Sequence, residues 1–286
     1  MEIEGFQVEH IPELKSPILI AGFDGWGNAM DVSTESVLFL INECNAKSFA
    51  SLDPDQFYRY DASRPMVNIE AGTMKHFIPP GGSLYAAATP PRSNDLVLLR
   101  AEEPNLNWNR FVDGLMSLSR KLRVSTIITL GSMYDSALPS DRIISGVASQ
   151  AEHFEELKIR GMVPISYQGP SAIHSLIHVE AEKAGISSIS LWCHCPYYLQ
   201  GTTHFGILSN LVRLLSAICL LNVDTSEIDD RWDRLDIQVR QLIQDSPELQ
   251  EMIDDIRKAK VRGTWSNLEK TGASRNVIDI RDFLDT

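Results

Sequence analysis

Cysteine is scarce in this chain: four among 286 residues, Cys44, Cys193, Cys195 and Cys219. Their spacing makes neither a disulfide framework nor a paired Cys-x-x-Cys zinc site, and a reducing, cytoplasmic setting is expected. Basic charge is also short, with 26 Lys and Arg against 38 Asp and Glu, a net charge of −12. Phosphate neutralisation needs clustered cations, so the balance argues against a general nucleic-acid or anionic-membrane binder. Met1-Glu2-Ile3-Glu4 lacks the basic region and apolar run of a secretory signal. The longest apolar stretch, Phe205 to Val223, carries Asn210 and Arg213 in its middle. A central Arg costs about 2.5–3.5 kcal/mol in a membrane span, so the stretch reads as a buried helix.

Several chemical motifs are missing as well. No Gly-x-Ser-x-Gly elbow, Gly-Lys-Ser/Thr phosphate loop or His-Glu-x-x-His pair occurs. Sequence spacing singles out no Ser/His/Asp or Cys/His constellation, although such groups are defined by geometry. His174 and His178 lie four apart on a helical pattern, the spacing of a two-histidine metal pair, with no glutamate in the catalytic position between them. Cys193-His194-Cys195 reads as a strand, which puts the cysteines on one face and the histidine on the other. Small core cysteines are therefore expected, with no metal and no cofactor.

What is present is ordinary globular material, 43% apolar and 22% charged, long enough to bury a large core. Short apolar runs alternate with helical patterns. Strands are expected at 17–21, 95–99, 125–130 and 186–195, and helices at 30–43, 107–122, 173–184 and 205–221. The 173–184 helix should stop at Gly185, with Ser171 as a candidate N-cap ahead of it. Met66 to Glu70 and Ser83 to Ala86 flank Pro79-Pro80-Gly81-Gly82 and read as an antiparallel excursion. This alternation predicts an α/β fold with a mainly parallel or mixed sheet covered on both faces. Charge density changes near residue 222: residues 223–286 hold 25 charged side chains in 64 positions. The expected division is an α/β core over 1–222 and a helical extension over 223–286, with helices near 225–244 and 247–261.

In such sheets ligands bind beyond the carboxyl ends of the strands. The first strand runs into Gly22-Phe-Asp-Gly-Trp-Gly-Asn-Ala29, where Asp24, Gly25, Gly27 and Asn28 could bind a ligand at a helix start. The dinucleotide fingerprint fails, because Met30 stands where its third glycine belongs. The bland alternative is a tight turn with Trp26 as a packing anchor. Glu102 and Glu103 follow the second strand, and adjacent carboxylates on a loop usually point apart. Ser132, Tyr134, Asp135 and Arg142 follow the third, and Arg142 could hold a carboxylate or close an ion pair. These strand-end residues form the candidate ligand site. No catalytic residue is assigned.

Taken together, these segments resemble the proteasome assembly chaperone 2 family, a group in archaea and bacteria related to a eukaryotic assembly chaperone. The resemblance rests on Gly22-Phe-Asp-Gly-Trp-Gly-Asn-Ala29, Phe49-Ala-Ser-Leu-Asp-Pro-Asp-Gln-Phe-Tyr58, Arg64-Pro65 and Glu103-Pro104 with Trp108 and Phe111. It continues through Tyr167-x-Gly169-Pro170, His178, Leu191-Trp192 and Pro196-x-Tyr198, spanning roughly Leu14 to Val261. It implies a three-layer α/β/α fold similar to the phosphorylase/hydrolase fold, a C-terminal helical extension and a homotrimer. It also implies proteasome-like or other ring-forming subunits as partners. Two histidines common in bacterial members are replaced here, in Pro139-Ser-Asp-Arg142 and Pro196-Tyr-Tyr198. That weights a non-catalytic, chaperone-like interaction protein over an enzyme or sensor of a nucleoside or phosphorylated metabolite.

Overall fold

The structure, a computed structural model, describes residues 1–261 and 278–279. Its centre is a ten-stranded mixed sheet in the order β1-β2-β4-β7-β8-β3-β9-β12-β10-β11. These strands are β1 (Glu2–Ile3), β2 (Phe6–Val8), β3 (Ile18–Asp24), β4 (Lys47–Leu52), β7 (Gly82–Ala87) and β8 (Leu96–Glu102), with β9 (Thr126–Asp135), β10 (Ile144–Ala148), β11 (Val163–Pro164) and β12 (Ser187–Pro196). Parallel pairing joins β8, β3, β9 and β12 at the centre, and the strands on the β7 side are antiparallel. The central strands are apolar on both faces because helices cover both.

Side-chain alternation divides the core into two layers. Ile20, Leu98, Ile128, Leu130, Leu191 and Cys193 face α1 (Val32–Glu43) and α6 (Phe205–Cys219). Leu19, Ala21, Val97, Leu99 and Ile127 face α3 (Trp108–Leu122) and α5 (Ile173–Lys183). The remaining helices are α2 (Pro54–Phe57), α4 (Ala151–Ile159), α7 (Ser226–Asp245) and α8 (Pro247–Val261). The two tail helices add Leu235, Val239, Leu249, Ile253 and Ile256 to the α1/α6 layer, so they pack on their own chain. A short β13 (Leu199–Gln200) pairs in parallel with β14 (Ile278–Asp279). Among the described residues no helix is long and apolar enough to cross a membrane. Arg213 leaves the buried stripe of α6 and reaches Thr225 and Asp229.

Three local expectations are corrected. The segment Met66 to Glu70 does not pair with Ser83 to Ala86. It forms β5 (Met66–Glu70) and pairs with β6 (Thr73–Ile78). Ala71 and Gly72 both have positive φ, the backbone of a two-residue hairpin turn, while β7 enters the main sheet between β4 and β8. The first helix begins at Val32 rather than Met30, because Met30 and Asp31 lie in the left-handed region. Ser171 does not cap α5; its hydroxyl donates to Ala172 O and pairs with the Ser175 hydroxyl, and the Ile173 N–H is taken by Glu103.

Candidate functional site

Beyond the carboxyl end of β3 the chain makes the glycine turn and enters α1. Asn28 organises it. Its Oδ1 accepts from the backbone N–H groups of Ser33 (3.1 Å) and Thr34 (3.3 Å). Its Nδ2 donates to Thr34 Oγ1 (2.9 Å) and Asp24 Oδ1 (3.1 Å). Asn28 thus occupies two of the helix-start donors that an anion would otherwise use. Asp24 also accepts from the Gly25 N–H at 2.9 Å.

Ser132 ties this turn to β9. Its N–H donates to Gly27 O and its hydroxyl to Ala29 O, both at 2.8 Å. Gly27 and Gly131 share one purpose. A Cβ on Gly131 would lie 2.7 Å from the Trp192 indole, and one on Gly27 would lie 3.2 Å from it. Only glycine lets this ring lie flat between β9 and the turn. Beneath it His174 donates from Nε2 to Leu130 O at 2.8 Å, which leaves Nδ1 without a partner. Burial lowers this imidazole to about 4.

The rim is acidic. Asp24, Asp31 and Glu102 face one another closely enough to be felt. Burial, then Asp24, raises the Asp31 carboxyl, with Arg100 opposing. Burial and Asp24 likewise raise Glu102, against hydrogen bonds from Ser63 and Gly81. Glu103 bridges the turn to α5: its Oε1 accepts the first N–H of α5 at 2.8 Å, its side chain lies against Gly25, and burial raises it. Tyr134 is half exposed beside Met30 and Asp31, and burial raises its phenol.

The structure therefore gathers Asp24, Gly25, Gly27, Asn28, Glu102, Glu103, Ser132 and Tyr134 at the strand ends. Arg142 goes elsewhere. It donates to Pro139 O and Asp141 O and lies 4.5 Å over the Trp232 ring, whose indole stacks on His204 at 4.3 Å. Burial lowers it, with Asp236 and Asp141 opposing. His174 and His178 do not converge, since His178 Nδ1 meets Ser188 Oγ. Cys193 and Cys195 are buried in the α1/α6 layer, and His194 faces the other way.

Spacing concealed two features. The first is the β5–β6 hairpin, exposed along both strands. Met66, Val67, Ile69, Met74, Phe77 and Ile78 are each at least 50% exposed. Its base joins the acidic rim: the Glu102 N–H donates to Gly81 O at 2.8 Å, and Ser63 bonds the Glu102 side chain. The second is a chain of three groups across β9, β12 and β10. Ser145 Oγ lies 2.7 Å from His194 Nε2, and His194 Nδ1 lies 2.6 Å from Asp135 Oδ2.

The topology and the strand-end turn define a three-layer α/β/α protein with a tail helical pair folded back on its core. Residues 19–243 match the PAC2 family, and the chain belongs to it. A PAC2 family protein of Streptomyces avermitilis is similar at 24% identity and TM-score 0.73, over 83% of this chain and 99% of the other. A Mycobacterium tuberculosis proteasome-assembly chaperone homologue is similar at 23% identity and TM-score 0.74, over 82% and 99%. An archaeal proteasome activator of Pyrococcus furiosus is similar at 17% identity and TM-score 0.65, over 83% and 97%. These likenesses carry the fold. No curated protein sequence matches the chain.

Proposed function

We propose that this protein is an assembly-chaperone-like interaction protein that acts in the cytoplasm as a homo-oligomer, a trimer on the family expectation. Its proposed partners are proteasome-like or other ring-forming subunits. The observation that carries the reading is the hairpin. Six large apolar side chains on a two-stranded ribbon bury little within their own chain. An isolated hairpin is marginal in water, and apolar surface of this kind marks a docking surface. We assign its cover to a second copy of the chain. Family membership and the proteasome-related names of two structural relatives support the choice of partner.

The acidic strand-end face, with Asp24, Glu102, Tyr134 and the exposed Trp26, lies at the hairpin base and is the proposed partner-facing surface. Its charge suits a basic partner and opposes a phosphorylated ligand. Light scattering after size exclusion tests the assembly. The wild type is expected to run as an oligomer and Ile69→Ser/Phe77→Ser as a folded monomer. A monomeric wild type, or an unchanged mass in the variant, removes the hairpin contact. Pulldowns that repeatedly recover only the chain itself count against the ring-forming partner.

A further inference from the structure

The β9–β12–β10 chain of hydrogen bonds has a definite proton order. An ionised carboxylate only accepts, so His194 Nδ1–H donates to Asp135 and His194 Nε2 accepts from the Ser145 hydroxyl. Asp135 is held as a carboxylate. Burial acts to raise it, but the bond from His194, the charge of that imidazole when it holds both protons, the Ser136 N–H and Lys260 outweigh burial and leave it below its ordinary range. Ser136 N–H reaches its second oxygen at 2.6 Å. Register explains why the three groups meet. Ser145 pairs with Trp192 in β10–β12, and Pro196 pairs with Asp135 in β12–β9, so all three side chains share the α5 face of the sheet.

We propose that Ser145 is a nucleophile activated by His194, which Asp135 orients, and that this second site cleaves small uncharged carboxylic esters. In the acylation step, Ser145 Oγ bonds to the ester carbonyl carbon and its proton passes to His194 Nε2. The C–O bond to the alcohol then breaks, and the leaving oxygen takes that proton. Water next loses a proton to Nε2 and attacks the acyl-serine. The carboxylic acid leaves, and the proton returns to Ser145. The net charge of −12 disfavours anionic acyl groups, and the burial of Ser145 and His194 disfavours charge of either sign.

Ser145 is 3% exposed and His194 7%. The segment 165–172 leaves β11 next to Gly146 and enters α5, whose His174 lies 4.9 Å from the Trp192 ring. It therefore passes from the Ser145 edge toward the helix that covers β12. Its hydrogen bonds at Tyr167 and Ser171 are local, and residues 166–171 are exposed. Under this proposal the ester reaches Ser145 only when this exposed segment moves aside.

The test treats the full-length protein with a fluorophosphonate reporter, in which the serine oxygen displaces fluoride from phosphorus, followed by peptide mapping. Label is expected on Ser145, absent in Ser145→Ala and slowed at least about 100-fold in Asp135→Asn, whose amide presents a donor to Nδ1 and so imposes the wrong tautomer. Hydrolysis of 4-nitrophenyl butyrate should fall in parallel, while the melting temperature of Asp135→Asn stays within a few degrees of wild type. No label on Ser145, or equal labelling in Asp135→Asn, overturns the proposal. The hairpin variant Ile69→Ser/Phe77→Ser should label normally, so this site and the interaction role fail separately.

Discussion

Asn28 shows how one side chain can both build and fill a strand-end turn. It caps α1 from within the loop and ties Asp24 to the same point. Replacing it by Ala removes a buried cap, and a loss of about 1–2 kcal/mol is expected in urea unfolding. Asp31 carries the opposite sign. Its φ is 57°, a conformation that asparagine tolerates better than most residues, and its carboxyl is raised by burial and by Asp24. A raised carboxyl binds its proton more readily in the folded state, so stability falls as pH rises from about 3.8 through the folded value. Asp31→Asn should therefore melt higher than wild type at pH 7, with the gap closing below about pH 4. His174 runs the other way. Its lowered value means that the unfolded chain takes up the proton first. Its contribution is complete above pH 6.5 and declines as pH falls toward about 4, by at most about 3 kcal/mol. His174→Gln should flatten that acid limb in stability curves measured at pH 7.5 and pH 5.

At the scale of elements, the helices and central strands were readable because each satisfies its own period. Phe111, Leu115, Leu118 and Leu122 mark the buried face of α3, and Gly185 stops α5 with φ 70°. The short and edge strands were not readable. β10 and β11 have no strong alternation of their own; β10 pairs on the edge that β12 offers, and β11 pairs on β10. The β5–β6 hairpin was half seen, since Met66 to Glu70 reads as a strand but its partner lies across Ala71-Gly72 rather than across the prolines. Because the hairpin side chains bury so little, Phe77→Ser should change the monomer's unfolding free energy by less than about 0.5 kcal/mol while lowering the oligomeric mass. A large loss of stability would mean that Phe77 contributes to the folded core.

At the scale of the whole molecule, the charged tail is less separate than its composition suggests. The apolar stripe of α7 and α8 belongs to the same buried layer as β3, β9 and β12. Arg142 and His204 both pack on the indole of Trp232 in α7. The division into a 1–222 core and a 223–286 extension is proposed as a boundary within one cooperative unit. Calorimetry should then show a single transition. Trp232→Ala should cost about 2–3 kcal/mol, below the range for a fully buried ring because Trp232 is only half buried. Two resolved transitions would show that the tail melts independently.

The sequence by itself determined the α/β class, the apolar central strands, the long helices, the glycine turn and the opposed faces of Cys193 and His194. Each of these follows from local periodicity or from backbone freedom within a few residues. The resemblance to the family was legible for the same reason, because the Gly22 to Ala29 string is contiguous. Only the tertiary structure decided that Glu103 caps α5, that Arg142 serves α7, and that Asp135, Ser145 and His194 form one hydrogen-bonded line. Ser145 and His194 stand 49 residues apart, and Asp135 and His194 stand 59 apart. Their meeting depends on strand order and register, which are set by long-range pairing and by the helices packed above the sheet.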